Sequence, residues 1–506
     1  MAAAAADVET RVFRLDRCGD LAPLRGALER AGYTEATVAE LVLTNESGKP
    51  LQTAALLRRT ADPSPLNTLV RLFVLARPVA EAQVGAVVAP ASVSSLCEAG
   101  LLRRHEQGVR ATVAMMPSEE LMLVRDFWPG FSGDPVAFDY VPGMAPVSRA
   151  VGNLTVRRRG ETALDLGTGS GVQALFAAPH TERVIATDTN LRALNFAAFN
   201  ARLNGISNIE LRRGNLFEPV AEERFDLIVS NPPFVISPEK EVEYRDGGLP
   251  GDRLTEQVIR GAAGLLREGG YATVMGNWCH EDEDAWADPP RRWLASRGCD
   301  VLIVGSDTKD PLSYASAWLS EAEDEFPGRC AQRLDQWLAY YERLGIRRIT
   351  SGAVIFRRRS EGPNWVRAEN RSGEQLRGSA SEQIQRVFAA QDFLALNADP
   401  RHLLDTAFAL TGDHQLEHLM RACGGRWNVE AARLLQTRGF PSVGNVDRLV
   451  CTLLAGCDGR RRLGELVADL ARSLGVETER VAEGSVNAIR KLFEAGFLTV
   501  AGTPTP

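Results

Sequence analysis

Cysteine and histidine are scarce in this chain: 506 residues hold eight cysteines and six histidines. The cysteines fall singly at Cys18, Cys97, Cys279, Cys299, Cys330, Cys423, Cys451 and Cys457 with no Cys-x-x-Cys pair, so neither a disulfide framework nor a zinc site is expected. A long apolar run is missing too, and no stretch is long enough to span a bilayer. The opening Met1-Ala2-Ala3-Ala4-Ala5-Ala6-Asp7 lacks a basic start and is too short and weakly apolar for a signal peptide, which points to a cytoplasmic chain without membrane attachment. The charge balance shows no basic excess. The net charge is −7, and much of the acidity sits in Glu281-Asp282-Glu283-Asp284 and Glu321-Ala322-Glu323-Asp324-Glu325, which read as solvated faces. A broad nucleic-acid footprint is therefore absent. The arginine triplets at 157–159, 357–359 and 460–462 read as solvated ends of helices or strands rather than phosphate clamps.

What remains is an ordinary globular composition, 44% hydrophobic and 24% charged, in a chain longer than one core usually serves. Three regions are expected: 1–115, 116–357 and 358–506. The first reads as helical to about residue 60, broken by Asp62-Pro63-Ser64-Pro65, then helical at 66–76, 80–88 and 93–99, with a hairpin ending near Met116. Residues 115–143, rich in Pro, Gly and aromatics, read as a linker or active-site margin. The last region opens with a polar linker at 357–378 and continues in mainly helical patterns, ending in helix, turn, helix, helix and strand. Both flanks look winged-helix-like, and a packing or protein-recognition role is favoured over nucleic-acid binding.

The most informative stretch is 225–234, Phe-Asp-Leu-Ile-Val-Ser-Asn-Pro-Pro-Phe. An apolar strand that ends in Asn231 delivers a side-chain carbonyl where open α/β sheets carry ligands. Pro232 and Pro233 fix the backbone beyond it, so the Pro232 carbonyl is held at a set angle. Two oriented acceptors on one NH2 group would favour the charge that develops as a delocalised nitrogen attacks a methyl group. Phe234 can stack on the planar group. The structural alternative is a strand stopping at a Pro-Pro turn with one buried Phe.

Upstream, Thr162-Ala163-Leu164-Asp165-Leu166-Gly167-Thr168-Gly169-Ser170-Gly171 reads as strand, tight turn and helix start. Alternate glycines at Gly167, Gly169 and Gly171 let the backbone approach a ligand, the helix start offers N–H groups to a carboxylate, and Asp165 is placed to hold an ammonium group. The run 183–187 ends at Asp188, about the separation at which an acidic residue meets ribose hydroxyls. A third strand end, 209–217, closes with Asn215-Leu216-Phe217, where an adenine would be flanked. After the Pro-Pro loop, glycines within 244–252 suggest a mobile lid, with Arg245 and Asp246 either touching substrate or forming a solvated turn.

Over residues 141–357 the chain resembles the class I S-adenosylmethionine-dependent methyltransferases, in the branch with an Asn-Pro-Pro-aromatic motif. That branch includes the release-factor glutamine methyltransferases, the small-domain ribosomal RNA guanine methyltransferases and the adenine amino-methyltransferases. The resemblance implies an α/β, Rossmann-like seven-stranded domain that uses S-adenosyl-L-methionine and no metal. It implies that Asp165, Gly167, Thr168, Gly169 and Gly171 cradle the methionine end, Asp188 the ribose, and Asn215 and Leu216 the adenine, while Asn231, Pro232, Pro233 and Phe234 hold the acceptor. Asn215 stands where many relatives carry Asp. A protein glutamine amide, in a translation factor for example, leads as acceptor. An exocyclic amine of RNA or DNA, a small molecule, and a non-catalytic cofactor-binding scaffold stay open.

Overall fold

The computed structural model describes residues 13–43, 51–133, 135–322, 330–371, 376–397 and 399–502. The Met1-to-Asp7 run and residues 323–325 of the second acidic run lie outside them; Glu281-Asp282-Glu283-Asp284 is exposed. The chain divides into two compact units, Met1–Val151 with Arg159–Asn370, and Gly152–Arg158 with Arg371–Pro506.

The first unit is built on a mixed, mostly parallel sheet. Its strands are β1 (Gly160–Leu166), β2 (Thr181–Asp188), β3 (Ile209–Arg213), β4 (Phe225–Ser230), β5 (Leu266–His280), β6 (Cys299–Lys309), β7 (Arg348–Arg358) and β8 (Val366–Asn370). They lie in the order β8-β6-β7-β5-β4-β1-β2-β3. The runs Ala163-Leu164, Val184-Ile185-Ala186 and Ile228-Val229 are buried at 2% exposure or less, as strands covered on both faces require. From β1 the chain winds outward to β2 and β3, then returns to place β4 on the other side of β1. The crevice at the carboxyl ends of β1 and β4 is thus a topological switch point. Around the sheet lie α1 (Pro146–Leu154), α2 (Val172–Ala177), α3 (Leu191–Leu203), α4 (Arg253–Leu265), α5 (Asp288–Leu294), α6 (Pro311–Ala322) and α7 (Cys330–Leu344).

Eight strands replace the expected seven. The addition is β8, which pairs parallel to β6 with Val301 opposite Val366, in a segment read as linker. Its cause is Asp300, fully buried at the start of β6. Asp300 accepts from the Arg357 and Arg359 guanidiniums at 2.6–2.7 Å and from the Trp365 N–H at 3.3 Å, which folds 357–365 back along β6. Arg357 and Arg359 are therefore ion-paired partners of a buried carboxylate rather than solvated charges.

The N-terminal helices occur among the described residues, and the expected hairpin pairs Leu102–His105 with Gly108–Ala111, ending at Ala111 rather than near Met116. Residues 115–125 do not form a linker: Ala114–Ser118 and Leu121–Arg125 make a second hairpin. Asn195 and Asn200 of α3 and Asn204 just past its end explain how this part is held. Asn200 and Asn204 each bond both the N–H and the C=O of a hairpin residue, Val124 and Met122, at 2.7–3.0 Å, and Asn195 does the same for Phe13 at 2.7–3.1 Å. Phe196, Phe199 and Leu203 of α3 belong to the same buried cluster as Leu28, Phe73 and Val109 of the N-terminal region. No helix among the described residues is long and apolar enough to cross a membrane.

The second unit is less helical than expected. Its final helices, Leu463–Leu474 and Glu479–Glu494, and the strand Leu498–Val500 follow the reading. Residues 407–446, however, contain the strands Ala407–Leu410, His414–Cys423, Arg426–Gln436 and Val443–Val446. Gly424 and Gly425 join the two longest, both at positive φ (60° and 75°), which is the backbone of a tight hairpin turn.

Candidate active site

The glycine turn leaves the end of β1 and doubles back over β2. Gly167 and Thr168 both donate N–H to the Thr187 carbonyl at 2.9 Å. Gly167 and Gly169 take φ values of 73° and 54°, and a Cβ on either would meet no atom within 4 Å, so bare backbone borders open space there. Gly171 serves packing instead: its added Cβ would lie 3.1 Å from Ala197 of α3.

Asp165 points inward. It is 2% exposed, and its Oδ2 accepts from the Thr168 hydroxyl at 2.6 Å and from the Ala174 N–H in α2 at 2.9 Å. The carboxyl therefore braces the turn and takes up one of the N–H groups at the helix start. Burial pushes its pKa up to about 7 despite those two bonds. Asp188 ends β2 with Oδ2 accepting from the Gly169 N–H and Oδ1 from the Asn190 N–H, each at 2.9 Å. Burial raises its pKa as well. The Asp188 carbonyl accepts from the Gly214 N–H at 3.1 Å, which brings the third strand end alongside. There Asn215 is exposed and Leu216 takes φ 48°, an uncommon backbone for a branched side chain.

Leu166 and Ser230 are register partners across β1 and β4, and the Ser230 hydroxyl donates to the Leu166 carbonyl at 2.8 Å. The next residues, Gly167 and Asn231, consequently leave the sheet side by side. Asn231 Nδ2 donates to Ser148 Oγ of α1 at 3.5 Å, while Asn231 Oδ1 is buried and has no hydrogen-bond partner. A buried amide carbonyl without a donor is costly unless a ligand supplies one. Pro232 is buried, and Phe234 is half-buried with its ring centroid 6.5 Å from that of Trp318.

Within the expected lid at 244–252, residues 248–250 are exposed while Arg245 and Asp246 are pinned. Asp246 is buried and accepts from the Ser237 hydroxyl and from the Glu241 and Val242 N–H groups at 3.0–3.1 Å. Arg245, also buried, pairs with Asp246 at 3.0 Å and with Glu239 at 3.4 Å. Glu239 in turn accepts from Arg333 and from the Trp337 indole at 2.5–2.9 Å. Arg245 and Asp246 hold the loop to itself and to α7, so neither the substrate-contact nor the solvated-turn reading describes them.

Sequence reasoning passed over several residues that shape the site. Asn200, fully buried, donates to the Ser170 carbonyl at 2.8 Å and so fixes the glycine turn from α3. Glu243 accepts from the Thr189 hydroxyl at 2.8 Å, beside Asp188. Asn190 Nδ2 donates to the Asp139 carbonyl at 3.2 Å, and the Tyr140 and Tyr244 rings lie 5.6 Å apart, so the aromatic stretch around 138–140 borders the β2 end. The Asn-Asn spacing along α3 was legible; its partners, distant in sequence, were not.

Residues 150–285 match the family described as Methyltransferase small domain. Residues 30–112 and 385–500 match two families, each described as a domain of unknown function. A ribosomal protein uL3 glutamine methyltransferase of Bradyrhizobium diazoefficiens is 35% identical over 148 residues, 26% of this chain and 46% of the relative. A release factor glutamine methyltransferase of Xylella fastidiosa is 37% identical over 127 residues, 22% of this chain and 46% of the relative. The chain thus spans about half the length of these curated relatives. Among solved structures, Trm5b of Pyrococcus abyssi aligns with a TM-score of 0.30 and 16% identity over 51% of this chain and 62% of that one. The segment similar to the Methyltransferase small domain contains the glycine turn, Asp188 and the Asn-Pro-Pro-Phe loop.

Proposed function

We propose that the protein is an S-adenosylmethionine-dependent N-methyltransferase whose acceptor is a glutamine side-chain amide in a protein of the translation apparatus. The observation that carries this reading is the unpartnered, buried Asn231 Oδ1 beside the open glycine turn. The relatives named for uL3 and release factors support glutamine over other planar nitrogens, and the absence of a broad basic surplus in composition favours protein over nucleic acid.

The residues fit the cofactor. Gly167 and Gly169 give a backbone with room for the methionine end, and Asp165 with Thr168 keeps that backbone in shape. Asp188 retains lone pairs for ribose hydroxyls, and Asn215 with Leu216 borders the adenine. S-adenosylmethionine, when bound, supplies a methyl group on a sulfonium sulfur. Asn231 Oδ1 accepts one N–H of the incoming amide and the Pro232 carbonyl the other, so both acceptors stabilise the positive charge that grows on nitrogen. Phe234 faces the planar amide. With S-adenosylmethionine bound, Asn231 and Pro232 would hold the amide nitrogen toward the methyl group, and the proton that the nitrogen loses would pass to solvent. Positioning supplies most of the rate. The reading places the protein in the cytoplasm, with winged-helix-like flanks at 1–115 and 358–506 recognising the acceptor protein.

Asn231→Ala tests the assignment. Methyl transfer should fall at least about 100-fold while the calorimetric affinity for S-adenosylmethionine holds; undiminished transfer would overturn it.

A further inference from the structure

The backbone just past the Asn-Pro-Pro-Phe loop is gripped by two phenols. The Ile236 N–H donates to the Tyr314 hydroxyl at 3.2 Å, and the Tyr341 hydroxyl donates to the Ile236 carbonyl at 2.8 Å. Tyr314 comes from α6 and Tyr341 from α7, at 2% and 1% exposure. Asn277 of β5, fully buried, donates through Nδ2 to the Tyr314 oxygen and leaves its own Oδ1 without a partner. Three polar groups thus sit inside an aromatic and aliphatic cluster formed by Ile236, Trp337 and Ile349 among others. Phenylalanine at either tyrosine would fill nearly the same volume with nothing to desolvate, so core packing does not account for the hydroxyls. Only Pro232, Pro233, Phe234 and Val235 separate Asn231 from Ile236, and the two prolines stiffen that connection. Tyr314, Trp318 and Tyr341 all lie beyond residue 285, outside the matched methyltransferase segment.

We propose that Tyr314 and Tyr341 are positioning residues for methyl transfer: they clamp the Ile236 peptide groups and thereby hold Asn231 at the angle that receives the acceptor nitrogen. This rests on the proposed function and adds to it a requirement for the α6–α7 pair. The Phe234 ring, leaning on Trp318, is fixed by the same pair.

The test uses full-length Tyr314→Phe and Tyr341→Phe, taken separately so that either one decides if the other fails to fold. Uptake of labelled methyl is followed with purified ribosomal protein uL3 and a release factor as acceptors. Each variant should lose about tenfold in kcat with KM for the acceptor unchanged, and should bind S-adenosylmethionine as the wild type does. Amide hydrogen exchange should rise about tenfold across 231–251 and stay constant across 160–190. Unchanged kcat, or exchange rising equally in both segments as general loosening would give, overturns the clamp. If the wild type methylates neither acceptor, the glutamine reading fails by itself, and the exchange pattern still decides whether the tyrosines hold the loop.

Discussion

Asp165 carries a carboxyl that burial holds near neutrality, with a pKa of about 7 in the folded chain against about 3.9 in an unfolded one. The folded state therefore binds the proton more tightly, and this group's contribution to stability falls as pH rises from about 4 to about 7, then levels off. Asparagine in its place can still accept from Thr168 and Ala174 without that penalty. Asp165→Asn should thus gain thermal stability over the wild type progressively between about pH 4 and 7, with a constant gain above. Melting curves across that range check it, and a gain independent of pH would count against a carboxyl with a raised pKa. The residue itself was legible as the acid that opens a glycine-rich turn. Its inward direction was not, because Thr168 and Ala174 meet it only once the turn has closed. Asn231 was legible for a different reason: an apolar strand ending in Asn-Pro-Pro leaves a polar side chain little local hydrogen bonding.

At the scale of elements, the third strand end depends on α4. A Cβ at Gly261 would lie 2.1 Å from the Phe217 ring, so Gly261→Ala forces that ring, and with it Asn215 and Leu216, to move. Overpacking of this kind costs about 1–3 kcal/mol. We expect weaker binding of S-adenosylmethionine by calorimetry, with the Asn231 loop undisturbed; unchanged affinity would show that 215–217 does not border the cofactor. The segment after the loop gives a second expectation. Asp246→Ala removes one of the two carboxylates paired with Arg245, leaving Glu239, and strands the Glu241 and Val242 N–H groups; it should cost about 1–3 kcal/mol in denaturant unfolding. A change below about 0.5 kcal/mol would match an exposed lid instead. The glycines at 247, 248 and 251 suggested mobility from composition; the anchoring of Arg245 through Glu239, which Arg333 and Trp337 hold in turn, is a pairing no local pattern reveals. Strands β1, β2 and β4 were readable from their apolar runs and turn residues, whereas β8 depends on Asp300 drawing distant arginines together, and the hairpin at 114–125 on Asn200 of α3 and Asn204 just past it.

The whole molecule ties its second unit into the chain ahead of β1. Gly152–Arg158 belongs to that unit, where the Ala380 N–H donates to the Asn153 carbonyl and the Arg157 N–H to Ser381 Oγ, both at 2.7 Å. A chain ending at Asn370 keeps every residue of the candidate site but loses these partners just before β1. Its melting temperature should drop by several degrees, on the order of 1–2 kcal/mol; an unchanged value would make the second unit independent of the first. The central claim, methyl transfer to a glutamine amide, is met most directly by supplying labelled S-adenosylmethionine and the purified protein to lysate of a strain lacking it, then splitting the product between protease and nuclease. The account predicts that protease destroys the macromolecular label and that hydrolysis under conditions sparing the amide yields N-methylglutamine; label destroyed by nuclease alone would contradict it.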